Sequence, residues 1–286
     1  APTVETWGTD EQKARFVVAF LRTDLLCCQL FSEPGAGSDL AGVSTRAVRD
    51  GDTWVLDGQK VWTSGARTAE WGLAICRTDT TVAKHAGMTA FLVPLDAPGV
   101  TIRPIKQMSG GASFNEVFLD DVRLADELRL GPEGAGWKVA LTTLAAERSA
   151  SNSLGGGSFE QVLGLARALG ATCDPRHRQA LADLYVHRTV DRLNVARVTQ
   201  SLAAGDAPGP EGSIGRLSAT RNLTRAADVV SGLLGPRLTA DTGEWGTFVW
   251  NDHVLGAPGY RIAGGSDEIQ HNIIGERVLG LPREPR

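Results

Sequence analysis

The chain has 286 residues, 42% hydrophobic and 22% charged, with a formal net charge of −4. That balance is the one of a soluble globular protein with room for one large domain or two ordinary ones. Lys and Arg are scattered, so no polyanion-binding field and no nucleic-acid partner are expected, and no apolar run approaches the roughly 20 residues of a membrane span. The opening Ala1-Pro2-Thr3-Val4-Glu5 has neither a basic nor an apolar leader, so no secretory signal is expected. Cys27, Cys28, Cys76 and Cys173 make no C-x-x-C pair, which fits a reducing cytosol and predicts a cytoplasmic protein. The five histidines show no metal-binding spacing, and no metal is expected.

In chain order, Thr9 or Asp10 can cap a helix through Glu11 to Val18. Its apolar face near Ala14, Val17, Val18, Phe20 and Leu21 has no earlier helix to pack on. From residue 25 the signals are β. Trp54 to Leu56, Lys60 to Thr63, Trp71 to Cys76, Thr89 to Leu95, Val100 to Ile105 and Asn115 to Leu119 are short β-rich runs between Gly and Pro turns. Their spacing predicts a small antiparallel barrel or sandwich.

From Gly136 the period becomes 3.6. Helices are predicted over Trp137 to Leu169, Arg176 to Ala204, Gly212 to Leu234 and Asp267 to Leu279, the second opened by Asp174-Pro175. Gly205 to Pro210 reads as a loop. Arg237 to Tyr260 reads as irregular, anchored by Trp245 and Trp250. The fold class is therefore α+β. A helical remnant (1–24) is followed by a β middle domain (25–130) and a C-terminal four-helix bundle domain (131–286).

Between the first helix and the first β runs lies a loop that breaks the pattern, Gln29 to Gly42. It contains Ser32-Glu33-Pro34-Gly35-Ala36-Gly37-Ser38-Asp39. Its glycines permit positive φ and close approach of the backbone to something flat, and Ser32, Ser38 and the loop amides are donors. Taken alone, such a loop is equally a surface turn.

The string resembles the T/S-E-P-x-A/G-G-S-D segment of the acyl-CoA dehydrogenase family, flavoenzymes that desaturate acyl thioesters. Two further strings are similar to that family in the same order. Gly58-Gln59-Lys60-Val61-Trp62-Thr63-Ser64-Gly65 matches its G-Q-K-x-W segment. Gly265-Ser266-Asp267-Glu268-Ile269-Gln270, with Glu276-Arg277-Val278-Leu279-Gly280, matches its C-terminal segment. The resemblance implies FAD as cofactor, an acyl-CoA thioester as substrate and an electron-transfer flavoprotein as electron acceptor. It also leads to the expectation of a helical domain ahead of this sequence. Only its last helix is visible, the rest being cleaved, not encoded, or supplied in trans.

Desaturating a thioester needs a base for the α-proton, an acceptor for the β-hydride and donors for the developing enolate oxygen. Many family members carry the base as a glutamate directly before the C-terminal segment, where this chain has Gly264. A subset, including the isovaleryl and long-chain enzymes, places it on the first bundle helix, followed by arginine. The stretch Leu144-Ala145-Ala146-Glu147-Arg148-Ser149 is similar to that arrangement. Glu147 is then the expected base, the other reading being a surface glutamate. Arg148 either tunes it or binds substrate. Gly264 keeps a backbone N–H for the thioester oxygen.

By resemblance, Phe31, Ser32 and the loop amides edge the flavin ring, Trp62 packs near it, and the Ser64 hydroxyl reaches it. Trp62 is equally a candidate core aromatic. Ser266 and Glu268 match cofactor-contacting positions, and Ser38 matches one near the thioester. Residues 170–179 and 231–236 depart from the segments by which the family reaches FAD across subunits. In this the chain looks like actinobacterial members that form mixed-subunit assemblies on bulky acyl groups. A homo-oligomer and a heteromer therefore both stand as expectations. So do a half-site subunit without catalysis of its own and an acyl-CoA oxidase. Gly155-Gly156-Gly157 is either a helix kink or room for a wide acyl group.

Overall fold

The computed structural model describes residues 1–147, 157–205, 209–244 and 246–283, with helix backbone continuing to 150, in two units, Ala1–Ala146 and Glu147–Arg286. The first opens with α1 (Pro2–Trp7) and α2 (Asp10–Leu21). Thr9 caps α2 through a capping box with Gln12, a contribution of about 1 kcal/mol. The predicted apolar face of this helix needs correction: Gln12 and Phe16 are its buried residues, Val17 and Phe20 are partly covered, and Ala14, Val18 and Leu21 are exposed. Phe16 is fully buried, edge-on to Trp71 at 4.8 Å between ring centroids. Gln12 donates from Nε2 to the carbonyls of Glu127 and Arg129.

The expected β domain is one eight-stranded sheet. Its strands are β1 (Cys27–Leu30), β2 (Arg46–Asp50), β3 (Thr53–Ser64), β4 (Trp71–Arg77), β5 (Met88–Pro94), β6 (Val100–Ile105), β7 (Phe114–Ala125) and β8 (Arg129–Leu130). The order is β6-β7-β3-β2-β4-β5-β8, with β1 on β4. Most pairs are antiparallel, as predicted, but β1 and β2 run parallel to β4, so the sheet is mixed. Trp71 to Cys76 and Met88 to Val93 are continuously buried, the mark of strands covered on both faces. α3 (Gly136–Ala150) starts against this unit, where Trp7 donates from Nε1 to Thr142 at 2.9 Å.

The second unit is helical: α4 (Phe159–Ala168), α5 (Pro175–Ala203), α6 (Gly212–Leu234), α7 (Trp250–Tyr260) and α8 (Asp267–Ile273). α5 starts at Pro175 with Asp174 as its cap, and α6 has its predicted bounds. Two predictions need correction. The run from 137 to 169 is not one helix: Gly157 takes φ +61° and Ser158 caps a new helix with Gln161. Residues 237–260 are not all irregular, since 250–260 form α7. Trp245, Gly155 and Gly156 lie outside the described residues. The predicted last helix passes from α8 into a π-helical turn, Ile274–Val278. The core of this unit gathers Val162, Leu165, Leu184, Ala226 and Val230. No described helix is long and apolar enough to cross a membrane.

Candidate active site

In the first unit, the two N-terminal motifs are joined by a buried ion pair. Lys60 is fully buried on β3 and donates to Glu33 Oε1 at 2.7 Å. It also donates to the carbonyl of Ile75 at 2.6 Å and to that of Phe31 at 3.3 Å. Glu33 accepts further from the Ser44 amide and hydroxyl at 2.6 and 2.8 Å and from the Thr45 amide at 3.0 Å. Burial acts to raise the Glu33 carboxyl, but the Lys60 charge and the surrounding donors outweigh it and hold it at about 2. An ion pair so deep is tolerated because every charge is met by several hydrogen bonds. Its effect is to fix the start and the end of the 32–45 loop against β3. The Ser32 carbonyl, accepting from the Val61 amide at 2.9 Å, completes the seam.

The loop itself makes a tight turn with paired Glu33 and Ala36 backbones. None of Gly35, Gly37 and Gly42 needs positive φ, contrary to the sequence expectation. Gly35 and Gly37 face open space instead. Ser38 is exposed and Ser32 half-buried, while Phe31 turns its ring into the core.

Trp62 is not a core residue. A bulge between Lys60 and Thr63 breaks the pairing of β3 with β7. In a regular strand, residues 60 and 62 share a face. The bulge reverses that parity, so Lys60 points inward and Trp62 outward, 59% exposed. Trp62 takes φ +61°, a left-handed conformation that costs a bulky residue about 1–2 kcal/mol. The buried Asn115 amide pins the bulge by donating to the Thr63 carbonyl at 2.9 Å. Ser64 is exposed two residues on. The indole of Trp62 and the hydroxyls of Ser64 and Ser38 are exposed, and Gly35 and Gly37 face open space, so residues of the kinds that pack on a flat ring and hydrogen-bond its edges are accessible in this unit.

In the second unit the turn between α7 and α8 carries the C-terminal motif. Gly264 and Gly265 take φ +62° and +91°, which a side chain would strain. Gln270 donates to both their carbonyls, at 3.2 and 3.1 Å. Ser266 is buried and caps α8, accepting from the Ile269 amide at 3.4 Å. Asp267 is buried and paired with Arg261 at 2.7 Å. Glu268 is exposed, and backbone amides at the helix start, then Ser266, hold its carboxyl below the usual range.

A β-carbon placed on Gly264 lies 3.2 Å from Glu147 Oε1 and 3.3 Å from Arg216 Nη2. The space that a side chain at 264 occupies is thus filled by a carboxylate from α3 and a guanidinium from α6. Arg216 donates to the Ala263 carbonyl at 2.6 Å and to that of Tyr260 at 3.2 Å.

The structure therefore brings Glu147 to Gly264. Phe31, Ser32, Ser38, Trp62 and Ser64 belong to the first unit, and Glu147, Gly264, Ser266 and Glu268 to the second. The Arg148 side chain lies outside the described residues. The sequence reading missed Arg216 and the Glu33–Lys60 pair. The signal for Arg216 is a polar ridge, Ser213, Arg216 and Thr220, at helical spacing on the packed side of α6, where Ser213 and Thr220 are buried.

Two family models match, "Acyl-CoA dehydrogenase, middle domain" over residues 28–122 and "Acyl-CoA dehydrogenase, C-terminal domain" over 134–279. The chain is 43% identical to acyl-CoA dehydrogenase IpdE1 of Mycobacterium tuberculosis, over all of this chain and 74% of that protein. It is similar to the solved Tcur3481-Tcur3483 steroid ACAD (TM-score 0.90, 30% identity, 99% of this chain and 75% of that one). It also resembles a chain of the ChsE4-ChsE5 complex of M. tuberculosis (TM-score 0.84, 31% identity, 99% and 76%).

Proposed function

Since the chain belongs to the acyl-CoA dehydrogenase family, whose members bind FAD, we propose that it desaturates a bulky acyl-CoA thioester with Glu147 as the base. The observation that carries this reading is the Glu147 carboxylate beside the Cα of Gly264, where a side chain at 264 would otherwise stand. Glu147 takes the α-proton. The Gly264 N–H donates to the thioester oxygen as negative charge grows there, a bond that strengthens only toward the transition state. FAD supplies the acceptor for the β-hydride. In the first unit Trp62 would pack on the ring, Ser32, Ser64 and the loop amides would hydrogen-bond its edge, and Ser38 would meet the thioester arm; in the second, Ser266 and Glu268 match cofactor-contacting positions of the family. Electrons leave to an electron-transfer flavoprotein.

A heteromeric assembly is the form we assign to it. Residues 170–179 and 231–236 lack the family's cross-subunit FAD segments, and two of the similar structures are named as pairs of proteins. Tyr185, Val186, Val190 and Leu193 expose apolar surface on α5 that a subunit contact would cover. The steroid named for one of those structures makes a steroid-derived acyl group the first substrate class to try.

The test is the visible spectrum of the FAD-loaded protein during anaerobic addition of acyl-CoA thioesters. The unaltered protein should bleach with its substrate. Glu147→Gln should keep the flavin spectrum and bleach at least about 1,000-fold more slowly, the scale of a lost general base. Equal bleaching by the variant removes Glu147 from the reaction.

A further inference from the structure

Arg216 has no assigned part in the chemistry above, yet it stands at its centre. Its guanidinium reaches the carbonyls of Tyr260 and Ala263, the end of α7 and the residue before Gly264. It also flanks, with Glu147 Oε1, the point where a β-carbon on Gly264 would lie. Two carboxylates face it from neighbouring segments, Glu147 from α3 and Asp267 from the start of α8, the latter also paired with Arg261. A half-buried cation is costly without such anions. Its Nε is buried and makes no hydrogen bond. Two left-handed glycines in succession leave the turn little intrinsic stiffness. Gln270 holds the carbonyls after the bend, and Arg216 holds those before it.

We propose that Arg216 is a positioning residue for the donor at Gly264: its guanidinium fixes the Tyr260–Ala263 carbonyls so that the Gly264 N–H points at the developing enolate oxygen. This rests on the dehydrogenase reading given above. In that reading Arg216 touches no substrate and acts through the turn. Removing it loosens a donor whose full effect appears only as charge develops. The loss therefore falls on kcat and on enolate-like ligands, while KM and ground-state ligands change little.

The experiment compares two ligands of similar size on the FAD-loaded protein by calorimetry. Acetoacetyl-CoA, acidic at its α-carbon, binds as its enolate. Crotonyl-CoA has no acidic α-carbon and does not. The unaltered protein should prefer the first, and failure to do so overturns the dehydrogenase reading itself. Arg216→Met should weaken acetoacetyl-CoA about tenfold more than crotonyl-CoA and lower kcat about 10- to 100-fold with KM within about twofold, short of the loss of a whole oxyanion donor. Arg216→Lys, which keeps the charge but whose ammonium ends one bond short of the Nη2 that meets both carbonyls, should show the same selectivity loss at smaller size and carries the test if the Met variant does not fold. Equal weakening of both ligands, or none, in a folded variant overturns the assignment of Arg216.

Discussion

Two charged clusters divide the chemistry of this molecule. Around Lys60 in the first unit, a cation and a carboxylate meet at 2.7 Å, sealed from water and satisfied by backbone and hydroxyl groups. Around Gly264 in the second, a carboxylate and a guanidinium flank a missing side chain beside a turn of two left-handed glycines. The first arrangement serves to hold two motifs together. The second sets a carboxylate where the side chain of residue 264 would otherwise stand, the place at which the proposed reaction calls for a base. The same residue types serve different ends because one pair is locked together inside a sheet and the other two groups are set around a glycine turn.

The sharpest way to break that contrast is to remove one charge from each cluster. Glu147→Gln should lose about 1,000-fold or more in turnover, measured by flavin bleaching, with a melting temperature close to the unaltered protein. Lys60→Met should do the reverse at comparable scale. Stranding Glu33 without its cation costs about 3–5 kcal/mol, read by urea unfolding. A Lys60→Met protein as stable as the original would show that the pair is not what joins the motifs.

Acid tests the same pair without mutation. The Glu33 carboxyl is held at about 2 against an ordinary value of 4.5, so its contribution is complete above about 4.5 and is lost as pH falls toward 2. That loss amounts to roughly 3 kcal/mol. In Glu33→Gln the slope of stability against pH over this window should flatten; an unchanged slope would assign it to other carboxylates.

A smaller effect is expected at Trp62. Replacing it with glycine relieves the left-handed strain, and stability should hold or rise by about 1 kcal/mol while FAD affinity falls. Loss of stability together with FAD affinity would mean that the indole is needed by the fold and not only by the ring. The smallest change tests a helix start. Thr9→Ala removes the α2 cap and should cost about 1 kcal/mol with no effect on FAD binding.

Much of the fold was legible. Thr9 and Asp174 announced helix starts, and the runs at Trp71 to Cys76 and Gly212 to Leu234 carried clear periods. What the sequence could not show arose from pairings. That Glu33 meets Lys60 depends on β1 and β3 being brought together across intervening chain. Trp62 stayed open between the flavin side and the core because period-two reasoning has no means of seeing a bulge. The stretch at 250–260 read as irregular because Gly256, Pro258 and Gly259 oppose helix locally, while packing of Val254 and Ala257 under α6 overrides that preference. Arg216 was missed, although it shares a polar ridge with Ser213 and Thr220, because its meaning lies in a turn some fifty residues away. Gly264 and Glu147 were found together only through a resemblance, and the structure gives that pairing a distance.

The bare Gly264 has one more consequence. A catalogue that sorts such chains by the carboxylate ahead of their C-terminal glycine turn would file this one among the inactive. In the reading advanced here, the acid has changed its address while its destination in space is kept. Sorting by the point that the carboxylate occupies, beside the Cα of residue 264, places chains of both kinds in one class and leaves as truly silent only those in which that point is empty.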